Sequence, residues 1–520
     1  MKHRQDGSRA WDSYPWTYVS WVCRYWRWIA HTSPALLTTV WIDVGDRNWC
    51  KLAWVAASLE RAAGALLDVS VVLRPSGVES WDTIRDLLLP SVSAIRRFVF
   101  TFYYGDGGLS DVSSLALFIA SMTSLEVLRL DDDSSEHPSS EMLLQLPTSQ
   151  LQKLRVLELT NLLLPTSPNL SECRSLRSLS IKDVFPHPNA VDLLSILLDC
   201  PHLETLAVVL RPDTTLITDR LHSLIPSVDM PSLRFLLIQG KLADIVHVCD
   251  RIRVPPTCII DVFDRSAGRP FPPGVESMMS IVLPKQTVFR SVISACTGIS
   301  LDFRCHKWEF KMSGSDGQPR VSITHFPILG TSTITPVWED FMRMLSTVAI
   351  TEFTFAYDRL HEITVDMWSD SLSRMPTLQV LCVLGGFVDT QGSATFPTAM
   401  FEAISTVSTA TGTAQCPLLR GLFFANLVLD RITEEAFLRA LQRRESVGRR
   451  LEQVCFLDCF RTNLVGEDFK ERMQEYVDVR VMYPLSLEDA FRVVDQRAPT
   501  TRSRGRGMFN FLTRLLSRSS

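Results

Sequence analysis

The sequence lacks several features that mark an enzyme, a membrane protein or a secreted protein. It has no GxxxxGK(S/T) phosphate loop, no GxGxxG dinucleotide-binding turn and no GxSxG nucleophile elbow. It has no run of about 18 uncharged apolar residues, so no transmembrane helix is expected. The N-terminal residues MKHRQDGSRAWDSYPW contain no apolar segment of a signal peptide. We therefore expect a non-enzymatic protein of the cytoplasm or nucleus that uses no cofactor.

Cysteine and charge exclude further classes. The 12 cysteines are spread thinly over 520 residues, unlike the dense disulfide framework of a small secreted domain. Neither Cys455 with Cys459 nor Cys305 with His306 has a second ligand pair at zinc spacing, so buried thiols are favoured over metal ligands. The net charge of -4 argues against nucleic-acid binding through a broadly basic surface.

A short cassette, apolar-x-x-apolar-x-apolar, recurs along the chain. Successive copies in the first half are separated by 30, 29, 22, 27 and 30 residues, and later copies by 28, 41 and 32. Repeat periods of about 20 to 50 residues indicate stacked structural units. The copies begin at Ile95, Leu125, Leu154, Leu176, Leu203 and Leu233, and then at Ile350, Leu378, Leu419 and Leu451.

The cassette has a physical explanation. Its last three positions alternate as in a short strand with one buried face. Helix-like stretches lie between the copies; in one of them Val191, Leu194 and Leu198 share a face, with Leu197 beside them. One unit cannot bury its own apolar face, so each unit needs a neighbour. The pattern predicts an α/β fold arranged as an irregular leucine-rich-repeat-like solenoid, and an ordinary layered α/β domain is the alternative.

Composition and cassette spacing divide the chain into segments. Residues 1–14 form a polar tail, and 15–43 form a short all-α segment that precedes the repeats. Residues 44–240 and 346–495 are the two repeat-like halves. Residues 241–345 contain clustered prolines and no clear cassette, which predicts an irregular middle or an insertion, with one strand near 298–303. Residues 496–520 form a basic tail.

The segment 15–43 carries a specific pattern. Val19, Val22, Cys23, Trp26, Ile29 and Ala30 form one helical stripe, Pro34 ends the helix, and Trp41 begins an extended piece. This segment resembles the C-terminal half of an F-box, as found in the fungal, basidiomycete-type F-box/leucine-rich-repeat family. The match lies in Val19-Ser20, Val22-Cys23-Arg24, Trp26-Arg27, Ile29-Ala30, and Pro34 with Leu36-Leu37. No Leu-Pro-x-Glu element precedes Pro15, so the F-box is truncated or degenerate.

The resemblance implies a substrate-recognition subunit of a cullin-type ubiquitin ligase, the SCF complex. The repeats would hold an unknown protein target, and the F-box-like segment would contact a Skp-type adaptor. The alternative is a stand-alone leucine-rich-repeat scaffold without ligase association. No target-binding residue is predicted, because the cassette identifies only buried positions. The implied adaptor-binding residues are Pro15, Val19, Val22, Cys23, Trp26, Ile29 and Pro34.

Two charged segments leave alternatives open. The basic tail contains six arginines and no acid from Gln496 to Ser520, and it includes a short amphipathic pattern over 508–516. We expect this tail to be disordered or to dock on the last repeat as a cap; membrane contact is the alternative. Asp131-Asp132-Asp133 follows a predicted strand and indicates a solvated loop, with a Ca²⁺ site or a loop that binds a basic target as the alternatives.

Overall fold

The structure is a computed structural model of a mixed α/β chain. The chain divides into two compact units, unit 1 over 1–235 and unit 2 over 236–520. Its described residues are 23–44, 49–62, 64–74, 80–102, 112–132, 148–162, 173–182, 184, 190–209, 227–264, 287–303, 308–325, 334–345, 348–357, 360–385, 397–406, 415–428, 430–457, 459 and 467–482.

Unit 1 alternates strands with helices along most of its length. Its helices are α1 (Arg24–Thr32), α2 (Trp49–Ala62), α3 (Ser80–Leu88), α4 (Val112–Ala120), α5 (Thr148–Leu151) and α6 (Ala190–Asp199). Two 3-10 helices span Pro34–Leu37 and Leu89–Ala94. Its strands are β1 (Thr39–Val44), β2 (Leu67–Leu73), β3 (Ile95–Phe102), β4 (Val127–Asp132), β5 (Val156–Thr160), β6 (Ser178–Lys182), β7 (Thr205–Val209) and the short β8 (Val228–Asp229).

The strands of unit 1 form a parallel sheet in chain order. Each strand from β1 to β7 pairs in parallel with the next. The cassettes that begin between Ile95 and Leu203 lie on β3 to β7 or directly before them, and their apolar residues are all buried. The central apolar residues align in register across the sheet, as Phe98, Leu128, Leu157, Leu179 and Leu206.

The cassette side chains of unit 1 face the helices. The ring of Phe100 on β3 lies 5.1 Å from Trp81 of α3, and Trp81 lies 5.5 Å from Phe118 of α4. The Trp81 indole N–H donates to Ser114 Oγ at 2.8 Å, so this buried polar group has a partner. Because side chains alternate along a strand, the residues between the cassette positions lie on the opposite face of the sheet.

The structure differs from the sequence interpretation in two places, the buried face of one helix and the end of one strand. In α6 the residues Leu193, Leu194 and Leu197 are buried, whereas Leu198 is exposed, so the buried stripe is rotated from the predicted one. The strand β4 extends through Asp132, which is buried, so the expected loop does not begin at Asp131. Asp133 lies outside the described residues.

Unit 2 contains the remaining elements. Its helices are α7 (Leu242–Arg251), α8 (Thr287–Ile293), α9 (Ile334–Leu345), α10 (Val365–Ser373), α11 (Thr398–Ser405), α12 (Arg431–Ser446) and α13 (Glu467–Gln474), with a 3-10 helix over Leu360–Glu362. Its strands are β9 (Phe235–Gly240), which begins at the division, β10 (Ile252–Arg253), β11 (Ile259–Asp264), β12 (Cys296–Phe303), β13 (Trp308–Gly314), β14 (Pro319–His325), β15 (Glu352–Tyr357), β16 (Val380–Leu384), β17 (Gly421–Ala425), β18 (Gln453–Leu457) and β19 (Asp478–Met482).

An antiparallel insertion explains why the cassette pattern breaks in the middle of the chain. β11 pairs in parallel with β14, which pairs antiparallel with β13, and β13 pairs antiparallel with β12. Parallel pairing then resumes from β12 to β15 and continues in chain order to β19. The segment 241–345, predicted to be an irregular middle or an insertion, thus contains regular strands, including the one expected near 298–303.

Two copies of the cassette were not recognised in the sequence. Leu37, Val40 and Ile42 have the cassette spacing, and so do Cys296, Ile299 and Leu301; both sets are buried. The first leads into β1 and the second lies on β12. The β12 copy has a cysteine in its first position, and the first residue of the β1 copy lies in a 3-10 helix, so the pattern was not recognised. Both copies are nevertheless buried like the others.

Asparagine ends a strand in the same way in both units. Asn161 and Asn426 follow β5 and β17 with φ angles of 53° and 55°, a region that asparagine adopts more readily than most residues. Each backbone N–H donates to a carbonyl of the next strand, Asn161 to Lys182 at 2.8 Å and Asn426 to Leu457 at 3.1 Å.

Gly385 follows β16, where a Cβ atom would lie 2.1 Å from the Asn426 carbonyl oxygen. Only glycine fits this close approach.

A buried arginine ties together elements of unit 2. Arg444 of α12 is fully buried, and its guanidinium donates to the carbonyls of Gln415 at 3.0 Å and Cys416 at 3.2 Å. Longer bonds of 3.4 Å reach the carbonyls of Ile404 and Leu419. Burial lowers the pKa of this guanidinium from its ordinary value. Arg444 therefore joins the end of α11 to the turn before β17.

We expect Leu179→Ala to destabilise the chain by about 2–5 kcal/mol, because it leaves a cavity between β6 and the helices. Leu198→Ala, on the exposed side of α6, is the matched control and should change stability by less than about 0.5 kcal/mol. Urea unfolding followed by circular dichroism measures both. Equal effects of the two substitutions would contradict the assignment of the buried face.

We expect Arg444→Met to destabilise unit 2 by roughly 2–4 kcal/mol, since four carbonyls lose their donor while the cost of burying the charge is relieved. Arg443→Met, at an exposed neighbouring position, serves as the control. The measurement is urea unfolding of the full chain. If both variants unfold at the urea midpoint of the unmodified chain, Arg444 does not hold these elements together.

Candidate protein-binding surfaces

The helix α1 exposes three aromatic side chains. Tyr25, Trp26 and Trp28 are 65%, 46% and 62% exposed. The rings of Tyr25 and Trp28 stack at 6.5 Å, and those of Tyr25 and Trp26 meet edge to face at 6.2 Å, so the three form one apolar surface. Exposed apolar patches of this kind mark sites of interaction with other molecules.

The sequence of α1 gives this helix little stability of its own. It has nine residues, its N-cap Cys23 makes no side-chain cap hydrogen bond, and its first turn contains no acidic residue. Isolated helices shorter than about 12–15 residues are marginal in water, and most helical stability comes from packing an apolar face. The exposed rings of α1 are therefore suited to packing against a partner.

The structure places only some of the predicted adaptor-binding residues. Pro15, Val19 and Val22 lie outside the described residues. Cys23 and Trp26 are exposed on α1, Ile29 is half-buried, and Pro34 begins the 3-10 helix that follows. Tyr25 and Trp28 were not among the predicted adaptor-binding residues, because they do not belong to the helical stripe that contains Trp26. Their signal in the sequence is the density of aromatic residues around Arg24 and Arg27.

A second surface is the face of the unit 1 sheet opposite the helices, which we call the open face. Its side chains occupy the positions between the buried cassette residues, and most are half-buried or exposed. Strands β1 to β6 contribute both apolar and polar groups. The residues of the open face are Trp41 and Asp43, Asp68, Ser70 and Val72, Arg97, Val99 and Thr101, Val127, Arg129 and Asp131, Val156, Glu158 and Thr160, and Ser178, Ser180 and Lys182.

Ion pairs cross the open face between neighbouring strands. Arg129 and Glu158 are aligned in register on β4 and β5, with Nε and Oε2 3.0 Å apart. At the edges of the face, Asp68 pairs with Arg96 at 3.0 Å and Asp43 pairs with Arg74 at 3.1 Å. Partly exposed pairs of this kind contribute little to stability, so their effect is to fix the charge pattern that a ligand meets.

Sequence reasoning named Trp41 and Asp131 for other reasons and assigned no target-binding residue to the open face, although a signal was present. The position between the last two apolar residues of each cassette lies on this face, as Val99, Arg129, Glu158 and Ser180 do. Strand alternation alone predicts that orientation. Which of these positions lie side by side depends on the strand register, which the sequence does not show.

The corresponding positions in unit 2 have a different character. Thr354, Cys382 and Cys455 are aligned in register through Phe423 and are buried, and Ala356, Leu384 and Ala425 form a buried apolar cluster with Leu457 against it. Desolvation raises the pKa of the Glu352 carboxyl on the same face. This face therefore offers a ligand less polar and less accessible surface than the open face of unit 1.

The described residues contain no candidate metal centre, because no three His, Cys, Asp or Glu side chains are grouped to hold an ion. Among the helices that the structure describes, none has both the length and the apolar character required to cross a bilayer. Cys455 and Cys459 are buried, and Cys305 with His306 lies outside the described residues.

No protein-family model matches the sequence, and no curated protein matches it significantly.

Exposed and buried cysteines of the chain should differ in reactivity. Burial raises the pKa of the Cys382 and Cys416 thiols to about 12, whereas Cys23 is exposed at the start of α1. Since the thiolate is the nucleophile, iodoacetamide at pH 8 should modify Cys23 and leave Cys382 and Cys416 intact in the native chain. Peptide mass spectrometry measures this, with guanidinium-unfolded chain as the control in which all three react. Rapid native labelling of Cys382 would show that its face is accessible.

Proposed function

We propose that this chain is a protein-recognition subunit, built as an irregular leucine-rich-repeat-like solenoid, that serves as the substrate-binding F-box component of a cullin-type ubiquitin ligase. In this proposal α1 contacts a Skp-type adaptor and the open face of unit 1 holds a protein target. The observation that carries it is the exposed aromatic surface of α1, located directly before the first cassette-bearing strand.

The position of α1 supports the division of roles. The F-box-like segment continues through the 3-10 helix Pro34–Leu37 into β1, and Leu37 of that 3-10 helix is itself a buried cassette residue. A partner held by α1 would therefore be coupled through a few residues to the repeat units. Rigid coupling of this kind suits a subunit that presents one protein to another.

The repeated strands support the recognition role. Cassette-bearing strands pair side by side in register, and their intervening positions form a continuous face. Such a face offers a partner many side chains at regular spacing without exposing the core. Large buried aromatic anchors dominate most protein interfaces, and α1 supplies three candidates for such anchors.

A stand-alone repeat scaffold is the second candidate function. Its support is the open face of unit 1, which is formed by paired strands without a contribution from α1. A scaffold of this kind would bind its target through the open face and leave α1 to another partner. The two functions differ only in whether the chain binds a Skp-type adaptor.

We expect the full-length chain to retain a co-expressed Skp-type adaptor in affinity purification. Replacing Tyr25, Trp26 or Trp28 by Ser should weaken retention by about tenfold or more for each ring, because each removes an apolar anchor. The dissociation constant can be measured by biolayer interferometry on the purified pair.

Leu117→Ser is the matched control, since Leu117 is a large exposed apolar residue on another helix of unit 1. It should leave adaptor binding unchanged. If the unmodified chain retains no adaptor, the ligase function is wrong and the scaffold function stands. If the chain binds the adaptor but all three aromatic variants bind equally well, the contact lies elsewhere than on α1.

A further inference from the structure

We propose that the open face of unit 1 selects an extended target segment that carries two acidic side chains about six residues apart. This inference rests on the proposed target-binding role of that face and specifies the chemistry of the target. Arg97 and Lys182 are the two residues that would recognise the acids. The strands between them would accommodate the intervening peptide.

The charges of the open face are unevenly paired. Asp43, Asp68 and Glu158 each pair with an arginine, and Asp131 also has an interaction partner. Arg97 and Lys182 have no ion-pair partner among the residues that the structure describes. Together with the edge residues Arg74 and Arg96, five basic and four acidic side chains lie on this face, so its charge is weakly positive, although the whole chain carries a net charge of -4.

Of the two cations, Arg97 has the stronger need for a hydrogen-bond acceptor. It is half-buried on β3, and its buried Nε atom has no hydrogen-bond partner within the described part of the chain. A buried donor without an acceptor is unfavourable, and a charged donor more so. A carboxylate can accept two parallel hydrogen bonds from a guanidinium, so an acidic ligand would satisfy this group.

The register sets the distance between the two cations. Arg97 is aligned with Val127, Val156 and Ser178 across β3 to β6, and Lys182 lies four residues beyond Ser178. Three strand spacings of about 4.8 Å and four residues of about 3.3 Å place the two positions roughly 20 Å apart. An extended peptide covers that distance in about six residues.

The groups between the cations favour a peptide over a nucleic acid. The diagonal from Arg97 to Lys182 crosses the apolar side chain of Val127, the Arg129–Glu158 pair and the hydroxyl of Thr160. A polyanion such as RNA would place phosphates near Glu158 and Asp131, which repel them. A peptide with neutral residues between two acids meets apolar and hydroxyl groups there instead.

Selection from a random peptide display library on the full-length chain tests the proposal. We expect the enriched peptides to contain paired Asp or Glu residues about five to seven positions apart. For a fluorescent peptide of this type, Arg97→Gln and Lys182→Gln should each weaken binding roughly fivefold, as measured by fluorescence anisotropy. Replacing the two acids of the peptide by Gln should have a similar effect.

Arg174→Gln is the matched control, because Arg174 is exposed in the turn before β6 and lies outside the strands. Enriched peptides that are neutral or basic, or binding unaffected by both open-face variants, would overturn the acidic specificity while leaving target recognition intact. Enrichment of no peptide at all would count against target recognition by this face and therefore against both proposals. Stronger binding of single-stranded RNA than of any enriched peptide would also overturn this one.

Discussion

Both units depend on the burial of three apolar side chains for each cassette-bearing strand. Two of them point from the strand toward the helices, and the third precedes the strand and packs beneath it. One strand and its helix cannot remove these groups from water alone, because the side that faces the next unit would remain exposed. Parallel pairing with the next strand solves this problem, and it repeats in both units with the same register. Both candidate surfaces of unit 1 are connected to this arrangement of strands.

Burial of one strand face also separates the residues that pack the core from those that can contact a partner. Side chains that face the helices are nearly all apolar and buried, so their identities reflect packing. Those on the other side of the strand are free to vary, and the two units use them differently. Unit 1 carries valines, hydroxyls and ion pairs there, whereas unit 2 carries small apolar groups and thiols that are buried. The open face of unit 1 is thus the better candidate for recognising a charged partner.

The uneven pairing of charge on that face follows from register. Arg129 meets Glu158 because β4 and β5 align them, whereas Arg97 is aligned with Val127 on one side and with Asp68 on the other, and Asp68 forms its ion pair with Arg96. A shift of one residue between strands would reverse these relations. The charge pattern available to a ligand is therefore a property of strand alignment, and composition alone suggests a weakly acidic protein with no basic site.

The sequence by itself was sufficient for ten cassettes and their buried positions, because burial of one strand face imposes an alternation that can be read locally. It also located α1, whose end is encoded by Pro34. In the middle of the chain it predicted one strand and an irregular segment or insertion, but it did not identify β13 and β14 or their antiparallel pairing. Only the tertiary structure decided which face of α6 is buried, that Asp132 belongs to a strand, and which side chains of the open face are neighbours. Each of these depends on how separate segments are placed beside one another, which no local pattern of residues specifies.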